Sequence, residues 1–135
     1  MENNVSGFIL QEDGKTLVAV NSFHPVVRQR FTMAHELGHY ILCHKPNGMI
    51  VDDNDFPLLW RDDEASQGTN NQEREANLFA SCLLMPQDFL ERDLRHLKNV
   101  GAHNDTLVRT LAKKYGVSPQ ALLLRISGLS SFRSD

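Results

Sequence analysis

His35-Glu36-Leu37-Gly38-His39 sets two imidazoles four residues apart, with a carboxylate directly after the first. On an α-helix that spacing stacks the two rings one turn apart on one face, so both can reach a single ion. Glu36 lies beside this stripe, close enough to act on a water held by the ion without being a ligand. Neutral imidazole is a good ligand for Zn2+, and zinc makes the water it binds far more acidic than bulk water. The chemistry within reach is metal-assisted hydrolysis. The competing reading is a chance string on an ordinary helix, and the rest of the chain has to decide between them.

A catalytic zinc usually takes three protein ligands and keeps one position open. The metzincin layout places the third ligand six residues past the second histidine, with a glycine three residues past it. Those positions hold Lys45 and Leu42, and His44 falls one residue short. A deformylase-type layout needs a cysteine ahead of the helix, whereas Cys43 and Cys82 both follow the histidine pair. A carboxylate from a second helix remains, and the segment from Glu73 to Pro86 offers one.

Thr69 and Gln72 suit a capping box for that helix, and Pro86 stops it. Glu73, Ala76, Asn77, Ala80 and Leu84 share one stripe, with Phe79 and Leu83 on a neighbouring apolar stripe suited to the core. The small Ala76 and Ala80 would let this helix approach the histidine helix and leave Glu73 to reach the metal. Asn77, one turn on, can orient a ligand histidine through its second ring nitrogen. The competing use of Glu73 and Glu75 is simply to favour a helix N-terminus.

Together, the stretch from Arg28 to Tyr40, the segment Glu73-Arg74-Glu75-Ala76-Asn77-Leu78-Phe79-Ala80 and the following Leu83-Leu84-Met85-Pro86 resemble the ImmA/IrrE family of metallo-endopeptidases. Val18-Ala19-Val20-Asn21 resembles the family's strand ahead of the zinc helix, so the resemblance covers roughly residues 5 to 86. It implies a fold like that of the thermolysin-like zincins, and it carries the third-ligand role to Glu73, with Glu75 as the runner-up two residues along. Relatives often have aspartate where this chain has Asn77. The resemblance further implies a regulatory protease acting on a repressor or antitoxin encoded nearby, in bacteria and their mobile elements.

A chain of 135 residues supports one domain with a small core, so residues 1–135 are expected to form a single domain, which the resemblance implies is zincin-like. A net charge of −3 gives no global argument for nucleic-acid or membrane binding. Two cysteines make no disulfide framework and point to a reducing compartment. No apolar run approaches a membrane span, and Met1-Glu2-Asn3-Asn4 does not read as a signal peptide, so a cytoplasmic protein is expected.

The elements that must position the site read as α+β. Strands over Val5 to Gln11 and Lys15 to Val20 form a hairpin through Glu12-Asp13-Gly14. Pro25 opens the histidine helix, which is expected to run to about Lys45 with Phe31, Ala34, Leu37 and Ile41 as its core face. Met49-Ile50-Val51 and Phe56 to Trp60 suit short strands within an acidic stretch carrying Asp52, Asp53, Asp55, Asp62, Asp63 and Glu64. That stretch reads as a solvated loop, a substrate-binding edge strand or, least in keeping with its spacing, a second metal site.

Phe89, Leu90, Leu94 and Leu97 then mark an amphipathic helix. A second, capped by Asp105 and closed by Gly116, and a third, opened by Ser118-Pro119 and running to about Ile126, follow. Leu107 to Ile126 resembles a helix-turn-helix and carries Arg109, Lys113, Lys114 and Arg125. Its second helix, however, offers few polar side chains for base edges, so packing is the better use of its leucines and DNA binding is not expected.

The sequence thus supports a zinc-dependent endopeptidase with His35, His39 and Glu73 as ligands and Glu36 as the general base. For a second oxyanion donor the candidates are Tyr40, His24, His44, His96, His103 and Tyr115. Two other classes compete: a DNA- or protein-binding regulator with a structural or vestigial zinc site, and a metallohydrolase of a non-peptide substrate. A structural site has no need of a base such as Glu36 and closes its fourth position with a protein ligand.

Overall fold

The computed structural model describes residues 5–44, 67–99, 101 and 104–133, which form an N-terminal β-hairpin packed on a helix, followed by four more helices. The chain is α+β and mostly helical, and it divides into two compact units, Met1–Ala80 and Ser81–Asp135. The strands expected near residues 50 and 58, and the acidic stretch around them, lie outside the described residues. No helix among the described residues is long and apolar enough to cross a membrane.

In the first unit β1 (Gly7–Glu12) pairs antiparallel with β2 (Lys15–Val20), in a register running from Gly7↔Val20 to Glu12↔Lys15. Asp13 and Gly14 both take left-handed backbone angles, φ 52° and 75°. A two-residue hairpin turn of the type I′ family requires this, and an Asp-Gly pair tolerates it. The first strand starts two residues later than expected because the backbone ahead of it is held by Asn21, which is 1% exposed. The Asn21 side-chain amide donates to the Val5 carbonyl at 2.9 Å and its backbone N–H to the Ser6 carbonyl at 2.8 Å. Its Oδ1 accepts from the Phe23 N–H at 2.9 Å, which turns the chain from β2 towards the next helix. At Gly7 a Cβ would stand 2.6 Å from Thr32 Cγ2, so only glycine lets the hairpin lie this close to that helix.

Helix α1 (Val26–Ile41) begins after Pro25, as the sequence indicates, and ends four residues before the expected Lys45. The His44 N–H donates to the His39 carbonyl at 2.9 Å and the Cys43 N–H to the Tyr40 carbonyl at 3.2 Å. This is the paired bonding of a Schellman motif, with Cys43 in the left-handed position at φ 58°. A side chain there costs about 1–2 kcal/mol. The expected core face is only partly right. Ala34 is buried, Phe31 and Leu37 are half-buried, and Ile41 is exposed, while Thr32, Glu36, Gly38 and His39 are buried.

Helix α2 (Gln67–Leu84) is already helical at Gln67, so Thr69 lies inside it and is not its cap; it ends ahead of Pro86 as expected. Ala76 and Ala80 are fully buried. Phe79 is half-buried and Leu83 is exposed, so the second apolar stripe is not a core face along its length.

The second unit contains α3 (Gln87–Asn99), α4 (Asn104–Tyr115) and α5 (Pro119–Arg133). Its core is formed by Met85, Leu90, Leu107, Leu111, Ala112, Val117, Leu122 and Leu129. Phe89, expected on an apolar face, is exposed, as are Leu123 and Leu124, two of the last helix's leucines expected to pack. Helix α4 starts at Asn104, which places Asp105 in its first turn, and ends in a second Schellman motif. There Gly116, at φ 65°, donates to the Lys113 carbonyl and Val117 to that of Ala112. Ser118 Oγ accepts from the Ala121 N–H at 3.1 Å and caps α5, which continues past Ile126 to Arg133. Arg125 Nε donates to the Met85 carbonyl at 3.1 Å, and Lys114 pairs with Asp93 at 2.8 Å.

The Tyr115 hydroxyl also donates to Asp93 Oδ2. Burial raises the Asp93 pKa and the Lys114 and Tyr115 contacts outweigh it, leaving the carboxyl below its ordinary value. The Tyr115 phenol is pushed up, first by burial and then by Asp93. Tyr115→Phe should therefore destabilise the protein by about 1–3 kcal/mol, measured by denaturant unfolding at neutral pH. Because Asp93 is depressed, its part of the stabilisation is present above its ordinary pKa and lost as pH falls through the folded value. Because Tyr115 is raised, its part is present below its ordinary pKa and lost as pH rises beyond it. The difference between wild type and variant should shrink at both ends of the pH range.

Candidate metal centre

Three side chains from α1 and α2 converge in the first unit. The Nε2 atoms of His35 and His39 face each other at 3.0 Å. Glu73 places Oε2 2.9 Å from His35 Nε2 and Oε1 3.3 Å from His39 Nε2. One ligand atom from each residue lies within 4.8 Å of the others, so the group can hold a metal ion. His39 is 1% exposed at its side chain, against 15% for His35 and 27% for Glu73. Glu75 is not part of this group; its Oε2 stands 3.0 Å from His44 Nε2.

The donor chemistry fits zinc. Two imidazole nitrogens and one carboxylate oxygen are the ligand set of His2Glu catalytic zinc sites. Glu73 Oε1 is buried and makes no hydrogen bond among the described residues. Its 3.3 Å approach to His39 Nε2 is an ion-pair distance without hydrogen-bond direction. A cation between the rings would satisfy that oxygen and both ring lone pairs.

Burial dominates the electrostatics. It pushes the Glu36 carboxyl up to about 7, with the Glu73 charge adding to it and His35 opposing. Burial would raise Glu73 too, but its contacts with His35 and His39 outweigh that and hold it down to about 2. Burial lowers His39, and Glu73 only partly offsets this. At His35 the burial effect is overcome, chiefly by Glu73, and the ring is raised.

Glu36, on α1 beside the rings, is 5% exposed, and its Oε2 has no hydrogen-bond partner among the described residues. Asn77 Oδ1 lies 2.8 Å from His35 Nδ1. At the crossing of the helices a Cβ on Gly38 would meet Phe79 at 3.0–3.1 Å, so glycine between the two histidines lets α2 come close. A cavity of about 310 Å3 opens on the site, bounded by Val5 to Gly7, by Arg28, Phe31, Thr32, His35 and Glu36 on α1, and by Glu73 and Asn77 on α2.

None of the candidates for a second oxyanion donor lines this cavity among the described residues. Tyr40 is exposed, His24 sits beside Asn21, and His44 contacts His39 and Glu75. His96 and Tyr115 belong to the second unit, and His103 lies outside the described residues. Arg28, which nothing in the sequence pattern marks as a site residue, lines the cavity and donates to Ser6 Oγ at 3.0 Å. The contacts of His44 are not legible in the sequence either, because a left-handed cysteine leaves no mark in a residue pattern.

A hairpin on a helix carrying both histidines, with a carboxylate supplied by α2, defines a zincin-like metallopeptidase domain. The chain belongs to the family of the IrrE N-terminal-like domain, Peptidase_M78, whose family model matches residues 1–127. Membership implies a peptidase. Comparisons with curated proteins and with solved structures gave no match.

Proposed function

We propose that this protein is a zinc-dependent endopeptidase in which His35, His39 and Glu73 hold the ion and Glu36 carries the proton. The observation that supports it most is the convergence of those three ligand atoms beside a buried glutamate that has no hydrogen-bond partner among the described residues. Bound zinc supplies Lewis-acid polarisation of the scissile carbonyl and acidifies water. Glu36 Oε2 takes a proton from the attacking water as the water oxygen bonds to the carbonyl carbon. When the C–N bond breaks, Glu36 gives that proton to the leaving nitrogen. Asn77 accepts from His35 Nδ1–H and so leaves Nε2 free for the ion.

The substrate we propose is a protein, a repressor or antitoxin encoded nearby. Incubating the purified protein with that neighbour should give discrete fragments that disappear with a zinc chelator and return on adding zinc. Cleavage that persists with the chelator would contradict the proposal.

The competing reading, a regulator with a structural zinc site, is disfavoured by the buried Glu36, which such a site does not use. Duplex binding is disfavoured because Lys114 and Arg125 already bond to Asp93 and to the Met85 carbonyl. A salt-sensitive mobility shift with duplex DNA at physiological salt would support the regulator instead.

A further inference from the structure

We propose that His44 and Glu75 form a positioning pair that fixes His39 in the tautomer able to ligate a metal; this rests on the reading of His39 as a ligand. The backbone builds the contact. The Schellman turn at the end of α1 bonds the His44 N–H to the carbonyl of His39, the residue whose ring its own side chain then meets. The two Nδ1 atoms are 2.9 Å apart, the ring centroids 5.1 Å, and the planes are inclined by 64°. On its other side His44 Nε2 stands 3.0 Å from Glu75 Oε2, and the His44 side chain is only 6% exposed.

For neutral rings, with His39 ligating through Nε2, proton counting assigns each donor and acceptor. A neutral imidazole has one N–H and one lone pair. For His39 to offer the Nε2 lone pair towards His35 and Glu73, its proton must be on Nδ1. That Nδ1–H donates to His44 Nδ1, which must therefore be the acceptor. His44 then carries its proton on Nε2 and donates it to the Glu75 carboxylate. The reverse arrangement, with His44 donating from Nδ1, would force the His39 proton onto Nε2 and block ligation. Glu75, an acceptor, selects against that reverse. Asn77 does the same for His35 directly, through Oδ1 at 2.8 Å. Both rings are thus held by an acceptor on Nδ1, one supplied by a side chain of α2 and the other relayed from α2 through His44. Cys43 in the left-handed region is the conformation that brings His44 into place.

The test compares His44→Leu, His44→Gln and Glu75→Leu with wild type, using zinc competition against a chromophoric chelator. Leucine cannot accept the His39 proton, and zinc affinity should fall about 10–100-fold. Glutamine can accept through Oε1 and donate to Glu75, so it should recover most of the affinity. Glu75→Leu should fall in between, and thermal unfolding checks that all three variants fold. Nitrogen-15 NMR of the zinc-free protein gives a second reading: the His39 proton on Nδ1 in wild type, and a tautomer mixture in His44→Leu. Equal affinities for the leucine and glutamine variants, or a His39 proton resident on Nε2 in wild type, would overturn the proposal. A wild-type protein that takes up no zinc would remove the ligand reading, while the tautomer would still decide whether His44 and Glu75 orient His39.

Discussion

Glu36→Gln should keep the fold and the metal and lose peptidase activity by about a hundredfold or more, the usual weight of a positioned proton carrier. Glutamine keeps the shape of the side chain and removes only its ability to take a proton. The carboxylate is 5% exposed and burial holds its pKa near 7, so its charged form is costly where it sits. A neutral amide in the same space costs less, and thermal stability should be unchanged or slightly higher. A variant that still cleaves the substrate at near wild-type rate, with zinc bound, would show that the proton moves by another route.

Glu73→Ala should abolish stoichiometric zinc, whereas Glu75→Ala should keep one ion per chain at reduced affinity. The two glutamates are two residues apart on α2, yet only Glu73 reaches both ring nitrogens, at 2.9 and 3.3 Å. Glu75 touches His44, so in the proposed site it acts on the metal only through His39. Losing Glu73 would remove one of the three proposed ligands and should exceed the roughly 10–100-fold cost typical of outer partners. Elemental analysis after gel filtration distinguishes the variants. Zinc lost from the Glu75 variant and kept in the Glu73 variant would mean that the ligand has been assigned to the wrong glutamate.

The sequence revealed most where one residue type is required by the backbone or by chemistry. Asp13-Gly14, Gly116 and Ser118-Pro119 mark left-handed or capping positions, and each stands at the turn or cap it announces. Helical spacing alone brings His35 and His39 onto one face and Glu73 and Asn77 onto another. Legibility failed where tertiary structure overrides local preference. Helix α1 ends ahead of its expected position because Cys43 adopts a conformation usually left to glycine. Its buried face departs from the apolar pattern because the site buries Thr32, Glu36 and His39, all polar, while Ile41 is exposed. Spacing puts Glu73 on the stripe with Ala76 and Asn77 but gives Glu75 no partner, since nothing in the sequence says where the turn after His39 sends His44. Helix α5 outran its expected end because no proline follows Ile126 and Gly128 is accommodated within the helix.

Zinc-edge X-ray absorption on the purified protein reads the ligand set of the ion itself. One zinc is expected, with two imidazole nitrogens and further oxygen ligands at about 2.0–2.2 Å, one from Glu73 and the rest from solvent in the open position. Cys43 and Cys82 are both free and exposed, so a thiolate is the obvious competitor. A sulfur shell at about 2.3 Å would place a cysteine on the ion and contradict the assignment of His35, His39 and Glu73 as its protein ligands.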